Sequence, residues 1–260
     1  MTDIIRPIAA ELAQFEAFFG KTLHAQTEPM DNIMQYVHDT QGKRLRPILV
    51  LLSAKLFDKI NEQTLRSATF VEMVHSATLI HDDVVDDANS RRKKASVKAQ
   101  FGNLSAVLAG DYLLAKAILL LSHPDDHAIL QEMLLTTAAM SEGELMQDAS
   151  FWQPDGRPND AYIDIITRKT ALLMRSCCVA GALSVNASPK QVQQIADFGL
   201  NFGILFQLRD DILDGENTEQ AKALLPVYYE KTLLALEGFM VSEITDILRE
   251  LTVFCAERKE

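Results

Sequence analysis

The stretch "LIHDDVVDDANSRRKK", residues 79–94, places Asp82, Asp83, Asp86 and Asp87 just ahead of Arg91, Arg92, Lys93 and Lys94. Asp82 and Asp86 are four residues apart, so on a helix both carboxylates leave one face about a turn apart. The spacing returns in "DDILD", which carries Asp210, Asp211 and Asp214. Clustered carboxylates repel one another unless a cation sits among them. Oxygen-only donors with room for water suit Mg²⁺ better than zinc, and Mg²⁺ commonly takes further ligands from substrate phosphates. One D-D-x-x-D alone is as readily a solvated helix end. Here two copies each close an apolar stretch, "VEMVHSATLI" before the first and "FGLNFGILFQL" before the second. That pairing points to a bipartite metal site above an apolar pocket.

Cations accompany the carboxylates. Besides "RRKK", the chain carries Lys43, Arg44 and Arg46 in "GKRLRP", and Arg168 and Lys169 in "TRKT". Each group is either a set of ion pairs on a solvated face or part of a site for an anion. In a chain of net charge -11, the second reading gains weight. Carboxylates for Mg²⁺ beside scattered cations are what a diphosphate requires, and apolar helices beneath suit a hydrocarbon remainder. The same negative charge argues against a general nucleic-acid binder, which needs a surplus of Lys and Arg.

The elements that must position these groups read as successive apolar or amphipathic helices. Apolar residues recur at three- and four-residue spacing, and no alternating run bounded by turn signals stands out as a strand. Eleven Gly and eight Pro are few for 260 residues, which favours helix. Ser188 before Pro189 forms an N-cap with proline in the first turn, and Pro47 suits a first helical position. The densest break is "FWQPDGRPND", residues 151–160. With no linker or repeat in view, we expect one all-α domain over residues 1–260. Cys177, Cys178 and Cys255 have no metal-ligand spacing, which suggests buried thiols in a reduced, cytoplasmic setting. The N-terminal segment lacks the features of a secretory signal. The most apolar run, "LLAKAILLLS" at 113–122, is too short for a transmembrane segment and contains Lys116.

Taken in order, "GKRLRP", "HSATLIHDDVVDDANSRR", "FGNLSAVLAGDYLLAKA", "EGELMQ", "RKTALL" and "FQLRDDILD" resemble the trans-polyprenyl diphosphate synthase family. The resemblance runs from about residue 40 to residue 215. It implies the isoprenoid synthase fold, a helical bundle around a deep central apolar cavity, usually as a homodimer. It also implies Mg²⁺-dependent condensation of isopentenyl diphosphate with an allylic prenyl diphosphate. Asp82, Asp83, Asp86, Asp210, Asp211 and Asp214 match the metal ligands, with Asp82, Asp86, Asp210 and Lys169 central to catalysis. Lys43, Arg46, His75 and Arg92 resemble the isopentenyl diphosphate site; without the family match, His75 reads as a packed core histidine. Arg91, Lys169, Thr170, Gln207 and Lys222 resemble the allylic site. Gln147 either lines the cavity or packs between helices, and His81 has no matching role. Val74, Ala77 and Thr78 sit where family members that make short products carry a bulky aromatic. Their small size implies a medium- to long-chain product, as for a quinone side chain.

Two departures stand out. After Asp214 the family's G-K-x-x-G-x-D loop gives way to "GENTEQAKALLP", and the chain ends earlier than most relatives. The domain is therefore expected to be shortened in both places. The rival readings are a class I terpene cyclase and a subunit of a heteromeric prenyl synthase. "GKRLRP" and the doubled aspartate motif favour chain elongation.

Overall fold

The computed structural model describes residues 3–40, 42–147, 161–216 and 218–259; the 151–160 break lies outside them. Twelve α-helices follow in order among these residues. They are α1 (Ala9–Leu23), α2 (Glu28–Asp39), α3 (Leu45–Lys55), α4 (Glu62–Val85), α5 (Val97–Phe101) and α6 (Asn103–Leu120). Then come α7 (His127–Gln147), α8 (Ala161–Ile166), α9 (Leu172–Ser184), α10 (Pro189–Asp214), α11 (Thr218–Leu236) and α12 (Glu243–Glu257). The all-α expectation therefore holds. One exception lies inside the charged segment, where β1 (Ser90–Arg91) pairs antiparallel with β2 (Lys94–Ala95) around Arg92 and Lys93.

Helix starts follow local chemistry. Asn61 caps α4 in a reciprocal box with Thr64, and Ser188 caps α10 in the same way with Gln191. Pro189 occupies the first turn of α10, as its fixed φ allows. Pro47 falls two residues inside α3, because the helix begins at Leu45 behind a left-handed Arg44.

The centre of the bundle is α3 and α9, buried almost all round through Pro47–Ala54 and Leu173–Ala182. The long helices α4 and α10 pack against this pair, with α6 outside α4 and α11 outside α10. Phe15, Phe19, Phe70, Phe198 and Phe202 fill the core between them. All three cysteines are free and buried, and burial raises each thiol pKa, for Cys178 and Cys255 to about 12. This architecture has one decisive result for function. Helices α4 and α10 both end in the bundle at an aspartate cluster, so six carboxylates sit in or beside final helical turns. A helix C-terminus carries negative partial charge, so these anions are in the least favourable place for them without a cation.

Candidate active site

The first cluster divides by side. Asp83 is buried and receives the Arg91 guanidinium, at 2.6 Å from Nη2 and 2.9 Å from Nε, so Arg91 neutralises a carboxylate. Asp82 is half-buried and Asp86 exposed, and both lack such a clamp in the hydrogen bonds described. Burial, reinforced by the Glu144 carboxylate, pushes Asp82 up to about 6. The second cluster divides by burial in the same way, though here Asp210 is itself paired with Arg258. Asp211, 5% exposed, accepts from the Tyr162 hydroxyl at 2.5 Å and from Gln207 Nε2 at 2.8 Å. Asp214 is exposed, and Asp210 is half-buried with its pKa raised by burial against the opposing pull of Arg258. Among the described residues, no three acidic, His or Cys side chains converge as a preformed metal cage. The outward carboxylates Asp82, Asp86, Asp210 and Asp214 still fit a hard divalent cation that completes its shell with substrate oxygens.

Below the aspartates lie two cavities. The first, about 440 Å³, is lined by the polar groups of Lys43, Arg46, His75, Arg92 and Lys93 and by the rings of Phe202, Phe206 and Phe254. Arg46 donates from Nη1 to His75 Nε2 at 3.0 Å, while its buried Nε has no partner. Burial and the neighbouring guanidinium groups hold His75 well below its ordinary pKa, so its ring is neutral and accepts that bond. Burial likewise lowers Arg46 and Arg92. The nearby acid, Glu72, is already engaged by Arg44 Nη1 at 2.6 Å, and Arg44 also binds Glu16. Arg46 is thus a desolvated cation short of an anion, and Arg92, exposed and bonded to the Thr40 carbonyl at 3.2 Å, adds a second cation beside it, an arrangement that a phosphate group relieves. Arg44, Arg92 and Lys93 all adopt positive φ, a conformation costing about 1–2 kcal/mol per non-glycine residue, the last two as the turn of the β1–β2 hairpin.

The second cavity, about 360 Å³, lies under Asp82 and is lined by Thr78, Met140, Glu144, Lys169 and Thr170. It shares Arg46 and His75 with the first, so the two spaces adjoin at that pair. Residues Thr167–Ala171 form a π-helical turn between α8 and α9, a device that re-aims side chains at functional sites. It presents Lys169 Nζ to Glu144 Oε2 and Gln147 Oε1, each at 2.8 Å. It also presents Thr170 Oγ1, which donates to Gln207 Oε1 at 2.8 Å. The chain Thr170, Gln207, Asp211, Tyr162 ties this turn to the second aspartate cluster. Gly143 makes the turn possible, because a Cβ there would lie 2.7 Å from Arg168 Cβ and 2.9 Å from Lys169 N.

Several residues fall elsewhere than expected. Lys222 lies on exposed α11 beside Glu219, 3.7 Å away, and lines neither cavity, because that helix runs along the outer side of α10. Of the chain-length set only Thr78 faces the second cavity; Val74 and Ala77 are buried in the core. Lys93 lines the first cavity, while Asp87 pairs with Lys98 and Lys94 donates to the Asp39 carbonyl. His81 bonds the Val107 carbonyl of α6 at 3.2 Å, in keeping with a structural role, and also borders the second cavity. Glu144 lies inside "EGELMQ", which on its own gave it no role, and Tyr162 and Arg258 had no sequence signal: each reaches the site from a separate helix or helix end.

A family model described as "Polyprenyl synthetase" matches residues 27–223. An all-trans-nonaprenyl-diphosphate synthase (geranyl-diphosphate specific) of Rhodobacter capsulatus is 35% identical over 213 residues, covering 82% of this chain and 65% of that protein. The chain thus spans slightly less than two thirds of that relative. Among solved structures, a decaprenyl diphosphate synthase from Rhodobacter capsulatus superposes with TM-score 0.89 at 25% identity, covering 100% of this chain and 99% of that one. A polyprenyl synthase from Caulobacter crescentus CB15, solved with calcium and isoprenyl diphosphate, has TM-score 0.91 at 24% identity and covers 99% of this chain and 97% of that one. At that identity the second likeness speaks to the fold.

Proposed function

Because the chain belongs to the polyprenyl synthetase family, we propose that it joins isopentenyl diphosphate to an allylic prenyl diphosphate and so lengthens a trans-polyprenyl chain. One observation carries this reading. A cation-walled cavity and a second cavity under the first aspartate cluster adjoin at Arg46 and His75, as two diphosphate substrates reacting with each other require.

In this reading Asp82, Asp86, Asp210 and Asp214 hold Mg²⁺, which neutralises charge on the departing diphosphate when bound. Lys169 and Thr170 donate to the oxygens of the allylic diphosphate, steadying them as the C–O bond breaks and its electron pair leaves with the diphosphate. Lys43, Arg46 and Arg92 hold the isopentenyl diphosphate so that its double bond faces the allylic carbon; its π electrons form the new C–C bond, and the resulting cation passes a proton to the departed diphosphate, which restores a double bond. Neutral His75 fixes the Arg46 guanidinium by accepting its hydrogen bond. The apolar walls keep water from the carbocation, and alignment of the two substrates supplies much of the remaining rate. Small Thr78 at the second cavity leaves the growing tail room, which supports a medium- to long-chain product such as a quinone side chain. The nonaprenyl and decaprenyl names of the similar proteins accord with this.

We further propose a homodimer. Helix α6 exposes Leu104, Leu108 and Leu119, and α7 exposes Leu134 and Leu135, large apolar side chains of the kind an interface covers. Helix α6 is 18 residues long and apolar enough to cross a membrane by length and composition, yet it packs along α4. A second copy on this face, in the cytoplasm, accounts for the exposure. Light scattering tests it: a monomer at micromolar concentration removes the proposal.

The test of the activity is product analysis. The purified chain is incubated with labelled isopentenyl diphosphate, Mg²⁺ and geranyl, farnesyl or geranylgeranyl diphosphate in turn. Linear, longer prenyl diphosphates are expected. Cyclic hydrocarbons formed without isopentenyl diphosphate would instead identify a terpene cyclase.

A further inference from the structure

Arg258 lies just past the end of α12, yet it is tied to the second aspartate cluster at several points. Its guanidinium donates from Nη2 to Asp210 Oδ1 at 2.5 Å and to the Phe206 carbonyl at 3.2 Å, and it stacks over the Phe206 ring at 4.2 Å. Its own carbonyl accepts from Arg209 Nε at 2.8 Å, which fixes the backbone against α10. The side chain is only 10% exposed. It also lines the first cavity, together with Lys43, Arg46 and Arg92.

Two features set this pair apart from the structural ion pairs of the bundle. Arg44 is fully engaged, with Glu16 and Glu72 taking its nitrogens on two sides. Arg258 has one carboxylate, and its Nε is buried without a partner. The carboxylate it holds is also partly exposed, at 31%, unlike Asp211, which is buried against Tyr162 and Gln207.

We propose that Arg258 is a positioning residue of the second aspartate cluster, holding the Asp210 carboxylate by an ion pair and yielding it when a divalent cation binds. The inference rests on the reading of Asp210 as a metal ligand. A guanidinium and a divalent cation cannot share one carboxylate oxygen without strong like-charge repulsion, so cation binding carries the cost of breaking the pair. The released guanidinium stays beside the first cavity, among the cations Lys43, Arg46, Arg92 and Lys93 that line it. An anion in that cavity then favours the released state, and metal binding and anion binding strengthen each other reciprocally.

The test uses Mn²⁺ alone, with free Mn²⁺ followed by electron paramagnetic resonance on the full chain. Arg258→Gln is expected to bind Mn²⁺ about tenfold more tightly than the parent chain, the size expected for a hydrogen bond to a charged group. Arg258→Lys retains the charge and is expected to lie between the two. In an Asp210→Asn background the gain from Arg258→Gln is expected to vanish. Equal or weaker Mn²⁺ binding by Arg258→Gln, or no binding by either chain, overturns the proposal. If the Gln variant fails to fold, Arg258→Lys decides, since parent-like affinity there with a gain on adding inorganic diphosphate to neither chain contradicts the exchange. Absence of prenyl transfer would overturn the proposed activity and leave this Mn²⁺ difference standing.

Discussion

Gly143→Ala is the sharpest probe of how the second cavity is positioned. The added Cβ would meet Arg168 Cβ at 2.7 Å and Lys169 N at 2.9 Å, where ordinary contact begins at 3.4 Å. Backbone on one side and a Cβ on the other leave nothing flexible to give way, so α7 and the π turn must part by roughly half an ångström. Overpacking of this kind costs about 1–3 kcal/mol of stability. The catalytic effect is expected to exceed that cost in selectivity. Lys169 is held between Glu144, the neighbour of Gly143, and Gln147, so parting the helices moves Lys169 and Thr170 against Asp82. Misplacement by up to about 1 Å can lower rate by up to ~100-fold. Steady-state kinetics should show kcat/KM for the allylic diphosphate falling about 10- to 100-fold, with KM for isopentenyl diphosphate nearly unchanged. A variant that loses stability yet keeps its allylic kcat/KM would refute the role of the π turn. Equal losses for both substrates would refute the separation of the two cavities.

Thr78→Phe should shift products toward shorter chains, since Thr78 faces the second cavity, whereas Ala77→Phe should mainly destabilise the packed core; an unchanged length distribution for Thr78→Phe sinks the assignment. Asp82, held up to about 6 by burial and Glu144, must lose its proton to take a cation, so metal binding should weaken as pH falls through about 6. The folded form binds this proton more tightly than the unfolded chain, so its contribution to metal-free stability is largest at low pH and fades as pH rises toward 6. Glu144→Gln should lower the inflection of metal binding, and an unmoved inflection contradicts the coupling. Arg44→Met leaves Glu72, 3% exposed, without its cation and should cost about 3–5 kcal/mol in urea denaturation. A loss under about 1 kcal/mol would mean that Glu72 finds another partner or a proton.

Much of the fold was legible because helix periodicity and capping are local. Ser188 before Pro189 announces α10, and four-residue spacing places Asp82 with Asp86 and Asp210 with Asp214 on shared faces. The basic segments were visible as well, but their allocation was not. Arg91 and Lys93 are separated by one residue, yet one clamps Asp83 and the other turns into a cavity, because a two-residue hairpin with positive φ reverses the chain between them. Arg258 and Tyr162 carry no spacing signal, since each meets its aspartate only through the packing of helices distant in sequence. Lys222 shows the opposite failure: a position inferred by motif order alone, four residues before Pro226, lands on the outer face of α11.

The most direct test of the central claim is incorporation of labelled isopentenyl diphosphate onto an allylic primer, measured with Mg²⁺, with EDTA, and for Asp82→Asn and Asp210→Asn. We predict longer prenyl diphosphates with Mg²⁺, none with EDTA, and at least a roughly 100-fold loss in either variant, the scale of removing one charge-stabilising group from an active site. Full incorporation by both variants, or none by the parent chain with any primer, would contradict it.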